Sequence, residues 1–265
     1  MTWRARILAF ALLCIAAVAV AYAWSVRHAL APRSSPVSLA TPQPTLPANA
    51  MVLGFTPPAP GSYQLEHILR VPDGPVLDSD GTAHALSTFT TGKITLFSFI
   101  YTYCTDAKGC PLAYATLHAV RERVTRDPAL RGQVRLVSMS FDPVFDTPAM
   151  MRSYAGDDAK PGPVPWHFLT TASAKALAPL LAGFGQDVSV VAPAAAGERP
   201  PVLSHLLKVY LIDPAGVVRE IYATAYLHPE ILRNDIATVL MEMNLAASAR
   251  KTAELDATVT ASTVH

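Results

Sequence analysis

Cysteine is scarce in this sequence. There are three in 265 residues, too few for a disulfide scaffold and too few for a four-cysteine zinc site. Charge is scarce as well. Charged residues make up 15% of the chain, and 21 basic against 20 acidic side chains leave a net charge of +1. That balance lacks the one-sided basic field of a nucleic-acid binder, and nucleic acid is excluded as a partner. No internal repeat is visible, which argues against solenoids and propellers. Low charge combined with 51% hydrophobic residues and a mean hydropathy of +0.28 rules out wholesale disorder and suits a folded domain with an added membrane segment.

That segment is Ile7 to Trp24, eighteen residues without a charge, preceded by Arg4 and Arg6 and followed by Arg27. At 1.5 Å per residue it spans about 27 Å, roughly the hydrocarbon core of a bilayer. Residues 1–30 are read as an N-terminal membrane anchor, with the N-terminus in the cytoplasm and the remainder on the periplasmic side of the inner membrane. Ala21-Tyr22-Ala23 also has the small-x-small form of a signal cleavage site, and either reading exports the chain. Cys14 lies inside this run as a small apolar residue. Residues 31–61 form a proline-rich linker, with eight prolines between Pro32 and Pro60, a composition that favours extended spacers over packed cores. Residues 62–248 remain as one domain, and 249–265 read as a flexible tail.

Within the domain, Pro75–Leu77 and Ala83–Leu86 flank the turn cluster Asp78-Ser79-Asp80-Gly81 and predict a hairpin. Lys93 to Tyr103 is a continuous β-branched and aromatic run, the pattern of a strand buried on both faces, and Gln133 to Phe141 is another. Between them Pro111 opens a helix. A short helix begins at Pro148, with Asp146 or Thr147 as its cap, and Gly156 ends it. Another runs from Ser173 to Phe184 and stops at Gly185, with Pro179 inside it. Trp166 to Leu169 predicts a short strand. Val191 to Pro201 reads as a loop or flap, Leu206 to Asp213 and Val217 to Tyr222 as a hairpin, and a last helix starts near His228-Pro229. The order is that of an α/β, thioredoxin-like central sheet with flanking helices, plus one N-terminal transmembrane helix.

Cys104 and Cys110 are the only concentrated chemistry. One follows a buried strand and the other precedes a helix, so both thiols are expected at the carboxyl edge of the sheet, where α/β folds place ligand sites. The helix N-terminus favours a thiolate, and Lys108 between them adds positive charge. Three readings of the pair stay open on these grounds: an inert disulfide, a redox dithiol, or a pair of soft ligands that would suit Cu(I). His205, immediately before the strand from Leu206, is the histidine placed to complete a three-coordinate site. His118 and His167 read as ordinary packed or surface residues, and Met139, Met150 and Met151 as core filler.

Three segments together resemble the Sco/SenC family of membrane-anchored, thioredoxin-like copper proteins. FSFIYTYCTDAKGCPLA is similar to that family's strand and cysteine pair, VSMSFDPVFDTPAMMRSYA to its Asp-Pro turn and Asp-Thr-Pro helix start, and LSHLLKVYLIDPAGVVREIY to its histidine-bearing hairpin. The resemblance implies that Cys104 and Cys110 bind copper, as Cu(I) or Cu(II), or cycle as a catalytic dithiol, with His205 as third metal ligand. It implies a metallochaperone for the copper-accepting subunit of a respiratory oxidase or another copper protein. The second reading it implies is an extracytoplasmic thiol-disulfide oxidoreductase. Five residues stand between the cysteines where the family pattern has three. Ser204 and Leu206 replace an Asp and a Ser beside the histidine, and Phe145 stands where Arg is common.

Overall fold

The computed structural model describes residues 53–192 and 202–262. In chain order its elements are β1 (Leu69–Arg70), β2 (Pro75–Asp78), β3 (Ala83–Ala85), α1 (Ser87–Thr90), β4 (Ile94–Ile100), α2 (Cys110–Arg126), β5 (Val134–Ser140), α3 (Pro148–Ala155), β6 (Trp166–Thr170), α4 (Ala174–Phe184), β7 (Val188–Ala192), β8 (Val202–His205), β9 (Val209–Ile212), β10 (Val217–Tyr222) and α5 (Pro229–Ser262). Eight strands form one sheet in the order β1-β10-β9-β4-β5-β6-β2-β3, and β7 and β8 pair apart from it.

β4, β5 and β6 are parallel, and β9 joins β4 in the antiparallel sense. Every residue of β4 and β5 is buried, as expected of central strands covered on both faces. Alternation along β4 supplies the two faces. Phe97 and Phe99 point to α4, where Phe97 stacks on Phe184 at 4.7 Å and Phe99 meets the same ring edge-on at 5.3 Å. Ser98 points the other way, bonding Ser138 at 3.2 Å, which in turn accepts from the Trp166 indole at 3.0 Å. Tyr114 of α2 covers that indole at 4.9 Å between ring centroids. The same helix buries Cys110, Ala113, Leu117, Val120 and Val124, alternating steps of three and four residues that put one helix face on a sheet.

Several expectations hold and others need correction. The hairpin of β2 and β3, the helix started by Thr147 and Pro148, and the stop at Gly185 are as predicted. Gly185 takes φ 61°, a left-handed conformation that only glycine adopts without penalty. Pro179 lies within α4 without interrupting it; burial of Leu177, Leu180 and Phe184 on the sheet offsets the lost backbone bond. The strand predicted to reach Tyr103 stops at Ile100. The end of the proline-rich linker is packed on α5: Asn234 donates to the Pro58 carbonyl at 3.0 Å, Thr238 accepts from Gly61 N–H at 3.0 Å, and Tyr63 donates to Asp235. α5 continues to Ser262 through residues expected to be a tail, because Ala, Arg, Lys, Glu and Leu are good helix formers and no Gly or Pro interrupts them. Residues 193–201, most of the expected flap, lie outside the described residues, while Val191 and Ala192 belong to β7. The predicted membrane anchor also lies outside them; among the described residues no helix is long and apolar enough to cross a membrane.

Candidate metal centre

β4 and β5 end side by side, with Ile100 opposite Ser140, so the segments that follow them share the carboxyl edge of the sheet. A buried carboxylate ties those segments together. Asp146 accepts from Thr102 N–H at 3.1 Å, from the Thr102 hydroxyl at 2.5 Å and from the Ser140 hydroxyl at 2.6 Å. Burial pushes its carboxyl above the usual range, and the bonds from Ser140 and Thr102 oppose that rise. This clamp is why the strand ends early: the Thr102 amide, which would continue the ladder, is taken by Asp146. Cys104 N–H then folds back to the Tyr101 carbonyl at 3.2 Å, and Tyr103 donates to Asp142.

Cys104 is thus four residues beyond the strand, half-buried, and Cys110 is the first residue of α2, fully buried. Both are free thiols. His205 is the last residue of β8, opposite Val188 of β7, and not the residue before a long strand. The main sheet resumes at Val209, after a break in which Gln186 donates to the Leu206 carbonyl at 3.1 Å and Lys208 to the Gly185 carbonyl at 2.5 Å. The ribbon of β7 and β8 brings the imidazole back over the cysteines. His205 Nε2 lies 3.8 Å from Cys110 Sγ, and the donor atoms of Cys104, Cys110 and His205 all lie within 4.8 Å of one another. Phe141 and Tyr101 flank the imidazole, with ring centroids 4.6 and 5.8 Å away.

The two thiols differ sharply. Cys104 is held down to about 4, first by a hydrogen bond from Cys110, against the opposing effect of burial, and further by His205, the Tyr101 hydroxyl and the Cys110 amide. The Cys110 amide is one of the unpaired N–H groups at a helix start, so the expected dipole effect is delivered to the other cysteine. Cys110 itself is pushed well above the usual thiol range by the Cys104 sulfur it donates to and by burial. Lys108 is exposed on the loop and is not among the leading causes of the depressed thiol.

All three residues selected from the sequence therefore converge. His118 instead faces Glu122 and Asp158 at 3.7 and 3.6 Å, and His167 packs on Phe89 at 5.0 Å. The sequence reading missed Tyr101, Phe141, Asp142 and Asp146 as parts of the site. For Asp146 the signal was present in Asp-Pro-x-x-Asp-Thr-Pro but was divided between two cap candidates. Thr147 is the cap, accepting from Met150 N–H at 3.4 Å, which frees Asp146 for the loop.

A thiolate, a thiol and an imidazole gathered at the carboxyl edge of a mixed α/β, thioredoxin-like sheet define a class: proteins that grip a soft metal or exchange electrons through a dithiol. The SCO1/SenC family model matches residues 76–241, more than half of the chain, and the chain belongs to that family. Solved structures share the fold. ScoI of Bradyrhizobium japonicum, with copper bound, is 23% identical over 64% of this chain and 98% of its own, with a TM-score of 0.51. Yeast Sco1 is 17% identical over 65% and 98%, with a TM-score of 0.56. BsSco, described as a member of the Sco family of cytochrome c oxidase assembly proteins and the subject of a disulfide switch, is 22% identical over 67% and 98%, with a TM-score of 0.50. No curated protein matches the chain significantly in sequence.

Proposed function

We propose that this protein is a copper carrier that binds one ion through Cys104, Cys110 and His205 and passes it to the copper-accepting subunit of a respiratory oxidase or another copper protein. The observation that carries this reading is the convergence of three donor atoms within 4.8 Å. Bonds of about 2.0–2.3 Å from sulfur and imidazole to a first-row metal would put three donors roughly 3.5–4 Å apart around it, and the 3.8 Å between His205 and Cys110 matches. Among the described residues the group has no fourth His, Cys, Asp or Glu. Two sulfurs and one nitrogen suit Cu(I), whereas structural zinc takes four ligands. Copper-bound ScoI and the assembly role of the Sco family to which BsSco belongs support the same reading.

Loading asks little of the protein. Cys104 is already a thiolate at neutral pH, so one proton, that of Cys110, leaves as the ion enters. Unloading proceeds by ligand exchange, with a donor of the acceptor replacing His205 before the sulfurs are released. The copper keeps its oxidation state, and Cys110 regains its proton. The apolar run Ile7–Trp24 and the linker after it support a tether to the inner membrane that leaves the domain in the periplasm.

The test is an anaerobic Cu(I) competition titration of the reduced full chain in detergent, beside Cys104→Ala and His205→Ala. One tight equivalent weakened by both substitutions is expected. Binding that ignores His205 would overturn the three-ligand site.

The unequal thiols favour a second reading, a thiol-disulfide oxidoreductase. The Cys104 thiolate would attack a partner disulfide, forming a mixed disulfide and releasing one partner thiolate. Cys110, on losing its proton, would then attack the Cys104 sulfur and release the second. Two electrons pass to the partner, the Cys104–Cys110 disulfide forms, and an external dithiol resets it. His205→Ala separates the readings, since this exchange needs no third ligand.

A further inference from the structure

We infer that Tyr101 is a positioning residue whose hydroxyl latches the histidine-bearing ribbon to the cysteine-bearing strand, so that His205 stays at the sulfurs. Tyr101 follows the last residue of β4 and is 7% exposed. Its backbone and side chain hold different ligands. The carbonyl accepts the Cys104 N–H at 3.2 Å. The hydroxyl donates across 102 positions of sequence to the Leu203 carbonyl at 3.4 Å, two residues before His205. The ring stands edge-on to the imidazole at 5.8 Å and lies 5.1 Å from Phe141, which also faces the imidazole.

The ribbon needs such a latch. It pairs with no strand of the main sheet, and a two-stranded ribbon is marginal by itself. Val190, Val191 and Val202 are exposed, and only Val188 and Leu203 pack, partly buried, against the core.

This inference rests on the copper reading of the site, but one of its tests does not. In the reduced full chain, Tyr101→Phe is expected to weaken Cu(I) binding about threefold to tenfold, the value of one hydrogen bond, and to add nothing further in a His205→Ala background. An equal loss in both backgrounds, or no loss in either, would overturn the latch. Without metal, amide hydrogen exchange of residues 202–205 is expected to speed up in Tyr101→Phe while that of α2 is unchanged. Unaltered exchange in β8 would overturn the latch as well. Wild-type protein that binds no Cu(I) would sink the copper reading alone and leave the exchange result to decide the latch.

Discussion

The two cysteines and the histidine stand on very different ground. Cys104 follows β4 and Cys110 opens α2; β4 has no exposed residue and its rings interlock with Phe184 and Tyr210. His205 ends a separate ribbon whose strand β8 alternates exposed and half-buried residues, held by Tyr101, Gln186 and the packing of Val188 and Leu203. One half of the site belongs to the core, and the other rests on it. For the carrier proposed above, that asymmetry would be useful: the sulfurs would define where the ion sits, and the imidazole would be the donor that is cheapest to withdraw.

The contrast can be broken from the rigid side first. Phe97→Ala should cost about 3–5 kcal/mol of global stability, read by denaturant unfolding, because Phe97 is fully buried against three aromatic rings. Asp146→Ala should cost about 2–4 kcal/mol by leaving the buried Ser140 and half-buried Thr102 donors unmatched. It should also release the cysteine loop, seen as faster alkylation of Cys110. A smaller loss than that of an ordinary surface substitution would show that the loop holds itself.

The pH dependence sharpens the comparison within the cysteine pair. A folded-state thiol at about 4 is below its unfolded value, so its stabilisation is fully present above the unfolded thiol range and is lost as pH falls toward 4. Alkylation of Cys104 in the reduced protein should be nearly flat from pH 8 to pH 6 and fall about tenfold per unit below pH 4. A midpoint near that of a free thiol would remove the asymmetry. On the ribbon side the effects are smallest. Gln186→Ala removes the donor to the Leu206 carbonyl and should speed amide exchange in β8 by up to about tenfold with little change in global stability.

The legibility of the sequence follows the same division. β4, β5 and α2 were readable because unbroken apolar runs and a proline at a helix start are local signals. The end of β4 was not, since Tyr101 to Tyr103 are strand-forming types and what turns them aside is Asp146, more than forty positions away. His205 was singled out from its place before a strand and from the resemblance, and it does lie beside the cysteines, yet its setting was misread. Leu206 to Asp213 looks like one strand, and the break before Val209 depends on Gln186 and Lys208 meeting carbonyls from other segments. The ribbon has only marginal patterning of its own, so tertiary contacts decide it. The tail became helix because propensity, with no turn signal to oppose it, suffices there.

Cys110 and His205 are 95 positions apart in the chain. An ion gripping both works as a removable staple: it can be held only after the strand end, the helix start and the ribbon have come together, and unfolding must expel it. At a free ion concentration a hundred times the dissociation constant, such a staple adds about 2.7 kcal/mol to the folded state. On the proposed reading, handing over the ion would therefore also soften the protein. On the carrier reading, proteases that sample unfolded chains would meet the empty form roughly a hundred times more often than the full one, so occupancy of the site would bear on the lifetime of the protein as well.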